Sequence, residues 1–365
     1  MWKLWLCAGV VTLAGRAAWG TEYVLQEFGV PTDRQTRGYG LNDADQALIG
    51  VFDPGNTVSE LYSGGVLQPV GPGGGVTGWS GVALDDAGDM VGQAPVGYGA
   101  GETYVYSGGV WTDVKGSAQL EFRANAIVPA PGGGAVAGGR TFLNSGNMAM
   151  VVRDGQLEAV PGYDGVVAGN ASGDLLLGGG ATGMALMHAD GMITPVDTGL
   201  PASEVSPVAL TPKGAILGLR PGTATNGGVR SFVYAGGKLT YLPTEVDGLG
   251  ETVFWDMNDA GMAVGAAEYG SPYQQTAAIY EDGQAHLLED VVENAEGWHF
   301  DNAEYVNADG WILGHGTDPS GALRAFLLTP VDEGGPGVPE PLSVLLLPLG
   351  LAGLWGRGRY LRRWS

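Results

Sequence analysis

Seven times along the chain a short polar turn is followed by a strand of small and apolar residues, and this repetition narrows the available folds more than any other feature. Two late copies are nearly ideal: Asn258-Asp259-Ala260-Gly261-Met262-Ala263-Val264-Gly265 and Asn307-Ala308-Asp309-Gly310-Trp311-Ile312-Leu313-Gly314. Earlier copies cover 41–50, 84–92, 170–178 and 211–218, with a Pro/Gly-rich degenerate one at 129–138. The closing glycines, Gly50, Gly92, Gly138, Gly178, Gly218, Gly265 and Gly314, stand 42, 46, 40, 40, 47 and 49 residues apart. That period is the length of one four-stranded propeller blade.

A second half accompanies six of the copies. Pairs of β-prone segments flank Gly64-Gly65, Gly108-Gly109, Asp154-Gly155, Asp190-Gly191, Gly236-Gly237 and Asp282-Gly283. Such dipeptides between alternating strands signal two-residue hairpins, because the favoured turns need positive φ. The seventh copy ends after Arg324-Ala325-Phe326-Leu327-Leu328 without a hairpin, whereas the segment Glu22 to Gly29 reads as a strand that precedes the first copy. Joining the two closes a ring and removes exposed sheet edges. The expectation is an all-β, seven-bladed propeller of four-stranded antiparallel blades over 21–330, its last blade completed by the N-terminal strand. An open β-solenoid or a pair of sandwiches is the competing architecture. With 66 Gly and 21 Pro in 365 residues, long helices are excluded.

The ends read differently. Lys3, the apolar run from Leu4 to Leu13 and the small residues around Ala18-Trp19-Gly20 have the form of a signal peptide over 1–20, to be removed by signal peptidase. Cys7, the single cysteine, lies inside it, so the mature body has no disulfide and no thiolate chemistry. A flexible linker, 331–338, leads to Pro339-Glu340-Pro341, an apolar stretch over 342–355, and Arg357, Arg359, Arg362 and Arg363. Read as a short transmembrane helix with a cytoplasmic basic tail, the apolar stretch spans about 21 Å against a bilayer core of about 30 Å.

Linker, Pro-Glu-Pro, apolar segment and arginine-rich end together resemble the PEP-CTERM sorting domain. The resemblance implies a Gram-negative exported protein whose 339–365 segment is handled at the inner membrane by an exosortase cutting near Pro339, Glu340 and Pro341. It also implies a setting of exopolysaccharide or biofilm matrix. A retained single-pass anchor is the alternative. The Asn-Asp-Ala-Gly turns resemble those of HAF-repeat extracellular proteins, with Arg324-Ala325-Phe326 near the namesake His-Ala-Phe and His replaced by Arg. That family implies export and repeated β units.

Six of the 17 basic residues sit in the two termini, so the body is more acidic than the overall net charge of −22 suggests. Such a body repels phosphate backbones, which argues against nucleic acid as a partner. Gly73-x-Gly75-x-x-Gly78 matches a dinucleotide fingerprint only as a string, since it opens no helix, and no Lys follows either Gly-rich run. Asp43, Asp45, Asp85, Asp86, Asp89 and Asp259 offer oxygens to calcium, but Asx turns account for them without an ion and no EF-hand spacing occurs. No cofactor is expected. His188, His286, His299 and His315 occur singly, without zinc spacing.

Convergence in the central channel would make Asp256, Glu268, Glu304 and His315 eligible for catalysis. Trp79, Tyr98 and Tyr273, in loops beside Gly or Pro, are the candidates for exposed stacking on sugar rings. The functional expectation is a non-catalytic exported propeller presenting loops to polysaccharide or protein. A glycan hydrolase or lyase working in the channel and a purely structural biofilm component are the alternatives.

Overall fold

The computed structural model describes residues 21–331 apart from 29, 32, 54–55, 75, 96–100, 144–145, 180–181, 223–227, 247 and 270–273. By contacts the chain divides into one unit through Pro330 and a second from Val331 to the end. The transmembrane helix expected over 342–355 belongs to the second unit and lies outside the described residues, as do Pro339, Glu340, Pro341, Arg357, Arg359, Arg362 and Arg363. Among the described residues no helix is long and apolar enough to cross a membrane.

Seven sheets make up the first unit, six with four antiparallel strands and one with five. In blade 1, strands a to d are Gln35–Leu41, Ala47–Asp53, Asn56–Ser63 and Val66–Val70, from the channel outward. The inner strands of blades 2 to 7 are Ser80–Leu84, Arg123–Pro129, Gly165–Gly169, Ser206–Leu210, Thr252–Met257 and His299–Val306. Each touches the inner strand of the next blade, and blade 7 touches blade 1, so the ring is closed.

Blade 7 is composite, as the N-terminal sequence predicts. Tyr23–Gln26 pairs antiparallel with Leu323–Pro330 in the register Tyr23 with Pro330 and Leu25 with Leu328. A fifth strand, Val292–Glu293, adds parallel to Tyr23–Gln26 on the outer edge. Tyr23 is fully buried and its hydroxyl donates to Met262 Sδ at 3.6 Å. The backbone N–H and hydroxyl of Thr21 both donate to the Glu281 carboxylate, at 3.3 and 3.0 Å.

The apolar run after each turn exists because strand b is buried on both faces. Ala47 and Ile49 point toward blade 7, packing with Leu313 and Leu327, whereas Leu48 packs with Trp79 and Met90 of blade 2. The same alternation sends Ile216 toward blade 4 and Leu217 toward blade 6, and Ile312 toward blade 6 and Leu313 toward blade 1. Among the described residues the core is therefore seven clusters, one for each blade junction.

The closing glycines are required for close approach rather than for backbone conformation, since none has positive φ. A Cβ on Gly265 would stand 2.0 Å from the Val253 carbonyl oxygen, one on Gly314 2.2 Å from that of Asn302, and one on Gly50 2.2 Å from the Tyr39 ring. The turn glycines serve the opposite purpose. Gly88, Gly173, Gly214, Gly261 and Gly310 adopt φ of 78 to 87°, the left-handed region, with Asp45 at 56° in the same place in blade 1.

Candidate functional site

Two features converge at the end of the channel where strands a and b are joined: a ring of Asx turns and a set of cavities beside it. The ring is built by asparagine. Asn42 Oδ1 accepts the N–H groups of Ala44 (3.1 Å) and Gln46 (2.9 Å), closing its own turn. Asn42 Nδ2 then donates to the Asp85 carbonyl of the next blade at 2.8 Å. Asn170 to Thr211 (3.2 Å), Asn258 to Asn307 (3.0 Å) and Asn307 to Asn42 (3.1 Å) repeat the link.

A second layer uses the following aspartate: Asp43 accepts Ala308 N–H, Asp86 accepts Asp43 N–H and Asp259 accepts Lys213 N–H, at 2.7 to 2.9 Å. Of the aspartates considered for calcium, Asp43, Asp45, Asp86 and Asp259 are thus engaged in holding blades together, whereas Asp89 bonds within its own blade. Among the described residues no three His, Cys, Asp or Glu side chains are placed to share a metal ion.

Within the ring lies a small cavity of about 130 Å³, whose apolar collar is Leu41, Leu84, Ile127, Leu210, Met257 and Val306. Each comes from the last residues of an inner strand, so six blades close this end of the channel with side chains. Asp256 also borders it, accepting Met257 N–H at 2.8 Å and Val306 N–H at 2.9 Å. Burial pushes its carboxyl up to about 7, against the pull of those two N–H groups and with help from the negative charge of Asp43.

The other channel candidates are elsewhere. Glu304 Oε1 approaches His315 Nδ1 at 3.3 Å within blade 7, off hydrogen-bond alignment. Glu268 accepts Gln275 Nε2 at 3.1 Å on blade 6 and borders none of the described cavities. Glu304 and His315 are brought together; Asp256 and Glu268 are not joined to them.

Every inner strand carries a β-bulge, which inserts Tyr39, Val82, Asn125, Val167, Val208, Trp255 and Glu304 into blades 1 to 7, and Asp301 makes a second in blade 7. The bulge bends the innermost strand around the channel. It also explains how Glu304 leaves the ladder while its neighbours Ala303 and Tyr305 remain paired.

A larger groove of about 880 Å³ crosses the turn face over blades 1, 2 and 3. Its walls include Gln46 and Gln68 of blade 1, Asp89, Tyr106 and Trp111 of blade 2, and the turn from Pro129 to Gly134 of blade 3. Gly108 and Gly109, at φ of 56 and 86°, form the two-residue turn that sets Tyr106 opposite Trp111 in register. Their rings lie 5.0 Å apart, and Trp111 packs edge-on to Trp79 at 4.9 Å.

Trp79, expected to be exposed in a Gly/Pro loop, is instead 3% exposed. It fills the space under Gly92, where a Cβ would fall 2.4 Å from its ring. The aromatic platform is therefore Trp111 with Tyr106, and Trp79 is its foundation. The hairpin spacing Tyr106-Ser107-Gly108-Gly109-Val110-Trp111 was the sequence signal for it. Tyr98 and Tyr273 lie outside the described residues.

No family model and no curated protein matches the sequence. Solved structures do. A streptogramin B lyase structure aligns over 85% of this chain and 98% of its own, at 13% identity and a TM-score of 0.49. An ulvan lyase of polysaccharide lyase family PL25, bound to its oligosaccharide, aligns over 85% of this chain and 93% of its own, at 13% identity and a TM-score of 0.43. A puromycin-hydrolyzing peptidase of Mycobacterium tuberculosis aligns over 87% of this chain and 54% of its own, at 12% identity and a TM-score of 0.48. At such identities the likeness is one of fold.

Proposed function

We propose that the protein is an exported, non-catalytic propeller that binds extracellular polysaccharide in the groove across blades 1 to 3. The observation that carries this reading is the groove itself: a paired Tyr106 and Trp111 platform beside the amides of Gln46 and Gln68 and the carboxylate of Asp89. An aromatic face suits the apolar face of a sugar ring, while amide and carboxylate groups suit its hydroxyls. Export through a cleaved 1–20 signal and exosortase handling of 339–365 belong to the same proposal. Its support is the sequence pattern of the two termini, the Lys3-to-Gly20 leader form and the Pro339-Glu340-Pro341, apolar segment and arginine-rich end.

The test is a glycan array probed with the full exported chain and with Trp111→Ala. The reading expects a polysaccharide class bound by the native protein and lost, by tenfold or more, in the variant. Equal binding by both, or none by either, contradicts it.

A channel enzyme is the second reading, favoured by the Glu304 and His315 pair and by an Asp256 carboxyl near neutrality. Glycan cleavage by the native protein that disappears in Glu304→Gln would support it in place of simple binding.

A further inference from the structure

Three positions in the turn ring lack asparagine, Asp85, Ala130 and Thr211, and Asp85 is the one that keeps the amide's shape while reversing the role of one of its atoms. Blade 2 carries Asp85 where blades 1, 4, 6 and 7 carry asparagine. Its Oδ1 behaves as the asparagine oxygens do, accepting Ala87 N–H at 3.0 Å and Asp89 N–H at 2.9 Å. The second atom differs. At the four asparagines it is an NH₂ that donates to the next blade's turn carbonyl. At Asp85 it is Oδ2, buried and without a hydrogen-bond partner, on a residue 7% exposed.

By the repeat, the group it faces is the Ala130 carbonyl of blade 3. The Ala130 turn closes as the Asn42 turn does, with Ala130 N–H to Gly134 and Gly133 N–H to the Ala130 carbonyl. At Asn42 the carbonyl also receives Asn307 Nδ2; at Ala130 the corresponding donor would have to be Asp85. An ionised carboxylate against a carbonyl sets two acceptors face to face, and a buried acceptor left so is costly.

The charged surroundings offer no relief. On its own turn Asp85 meets Asp86 and Asp89, and Asp89 is already held by the Ser107 hydroxyl and Gly108 N–H. From blade 1 come Asn42, whose amide goes to the Asp85 carbonyl, and Asp43, whose N–H goes to Asp86. From blade 3 comes Ala130-Pro131-Gly132-Gly133-Gly134, with no titratable side chain. Burial pushes the Asp85 carboxyl up to about 6, offset by the Asp89 N–H bond and reinforced by the Asp89 charge.

We infer that Asp85 is a proton-operated latch between blades 2 and 3: protonated, its Oδ2–H donates to the Ala130 carbonyl and completes the junction, and ionised, it leaves the junction open. The inference touches the proposed polysaccharide site because Ala87 to Met90 and Pro129 to Gly134 both line that groove, and in that respect alone it rests on that reading. Acidification would firm the floor on which a ligand sits.

The direction follows from linkage. A carboxyl whose proton affinity rises on folding adds stability below its ordinary pKa of 3.8, and that contribution disappears as pH climbs through about 6. The gap corresponds to a roughly 100-fold change in the folding equilibrium constant. The experiment follows the full exported chain without ligand, so failure of the groove to bind sugar leaves the latch test intact.

A ¹³C titration of the Asp85 carboxyl should show a midpoint near 6, with amide exchange in the blade 2 and blade 3 turns accelerating beyond the intrinsic pH effect between pH 5 and 7. Asp85→Asn installs a permanent donor and should raise the melting temperature at pH 7.5 while flattening the profile. Asn42→Asp should transfer the same pH dependence to the junction of blades 1 and 2. A midpoint near 4, or an Asp85→Asn protein with the native pH profile and no gain at pH 7.5, would overturn the inference. The titration alone decides if a variant does not fold.

Discussion

The seam between blades 7 and 1 and the junction between blades 2 and 3 solve the same packing problem with opposite means. At the seam only the outer strand of blade 7, Tyr23–Gln26, runs on into blade 1, while its inner strands come from the far end of the chain, and polar links are dense. Asn307 donates to both the Asn42 carbonyl and Asp45, Ala308 N–H reaches Asp43, and Ala325 N–H reaches the Thr36 hydroxyl. Arg324 joins Asp318 of its own blade to the Pro31 carbonyl before blade 1.

Between blades 2 and 3 the chain runs on, and the junction relies on Phe122, Val91, Val105 and Met150, with Gln93 donating to the Phe122 carbonyl at the far end. There the turn ring holds an unsatisfied carboxyl. Directional bonds gather where the inner strands of one blade, from the far end of the chain, meet a blade formed at its start; where both blades are built from one consecutive stretch, apolar burial suffices.

The largest effect should come from the closing strand. Tyr23→Ala removes a fully buried ring from the cluster shared by blades 6 and 7 and should cost about 3–5 kcal/mol in a denaturant melt. A loss below 1 kcal/mol would mean that the closing strand is held no better than an ordinary terminus. Next comes Gly265→Ala, whose new methyl meets the Val253 carbonyl and the Phe254 Cα at 2.7 Å. Backbone cannot yield cheaply, so about 1–3 kcal/mol should be lost, which thermal melting would register.

Asn307→Ala takes away donors to Asn42 and Asp45 and the acceptor for Trp311 N–H, and should cost about 1–3 kcal/mol. At pH 7.5, with Asp85 ionised, no side-chain donor spans the blade 2 and 3 turns, so Ala130→Ser should be nearly neutral there, and that contrast sharpens the comparison.

The two regions should also respond to acid with opposite sign. Burial alone would push the Asp318 carboxyl up, but hydrogen bonds from the Ser320 hydroxyl, Ala322 N–H and Arg324 outweigh it and hold it at about 2. Its contribution is present above the ordinary value of 3.8 and is lost as pH falls through 2. Melting at pH 2 to 4 should therefore weaken the seam first, as read by amide exchange in Leu323–Pro330, while the Asp85 junction firms over pH 6 to 4.

Much of this was legible in the sequence. The glycine period, the Asx turns and the two-residue hairpins report local backbone geometry, which a sequence encodes directly, and they placed the blades and the composite closure. Other features depend on distant neighbours. The bulges that expose Glu304 disturb no turn signal, because an extra residue within a strand leaves its composition unchanged. Trp79 sits in a Gly/Pro loop that reads as exposed, and only the packing beneath Gly92 shows it to be core. Val292–Glu293 is two residues long and pairs parallel with a strand some 270 positions away, beyond any local pattern. Asp85 and asparagine cap a turn equally well, so the difference between them appears only when the next blade is in view.

The central claim is that the N-terminal segment Tyr23–Gln26 is an integral strand of the last blade. Val24 and Thr329 are register partners across that pairing, and the body beyond Cys7 has no native thiol to interfere. Replacing both with cysteine and oxidising the full chain should give a quantitative internal disulfide and a higher melting temperature, since the bridge would close almost the whole ring. Free thiols that persist under oxidation, or a bridge that leaves melting unchanged, would contradict the closure.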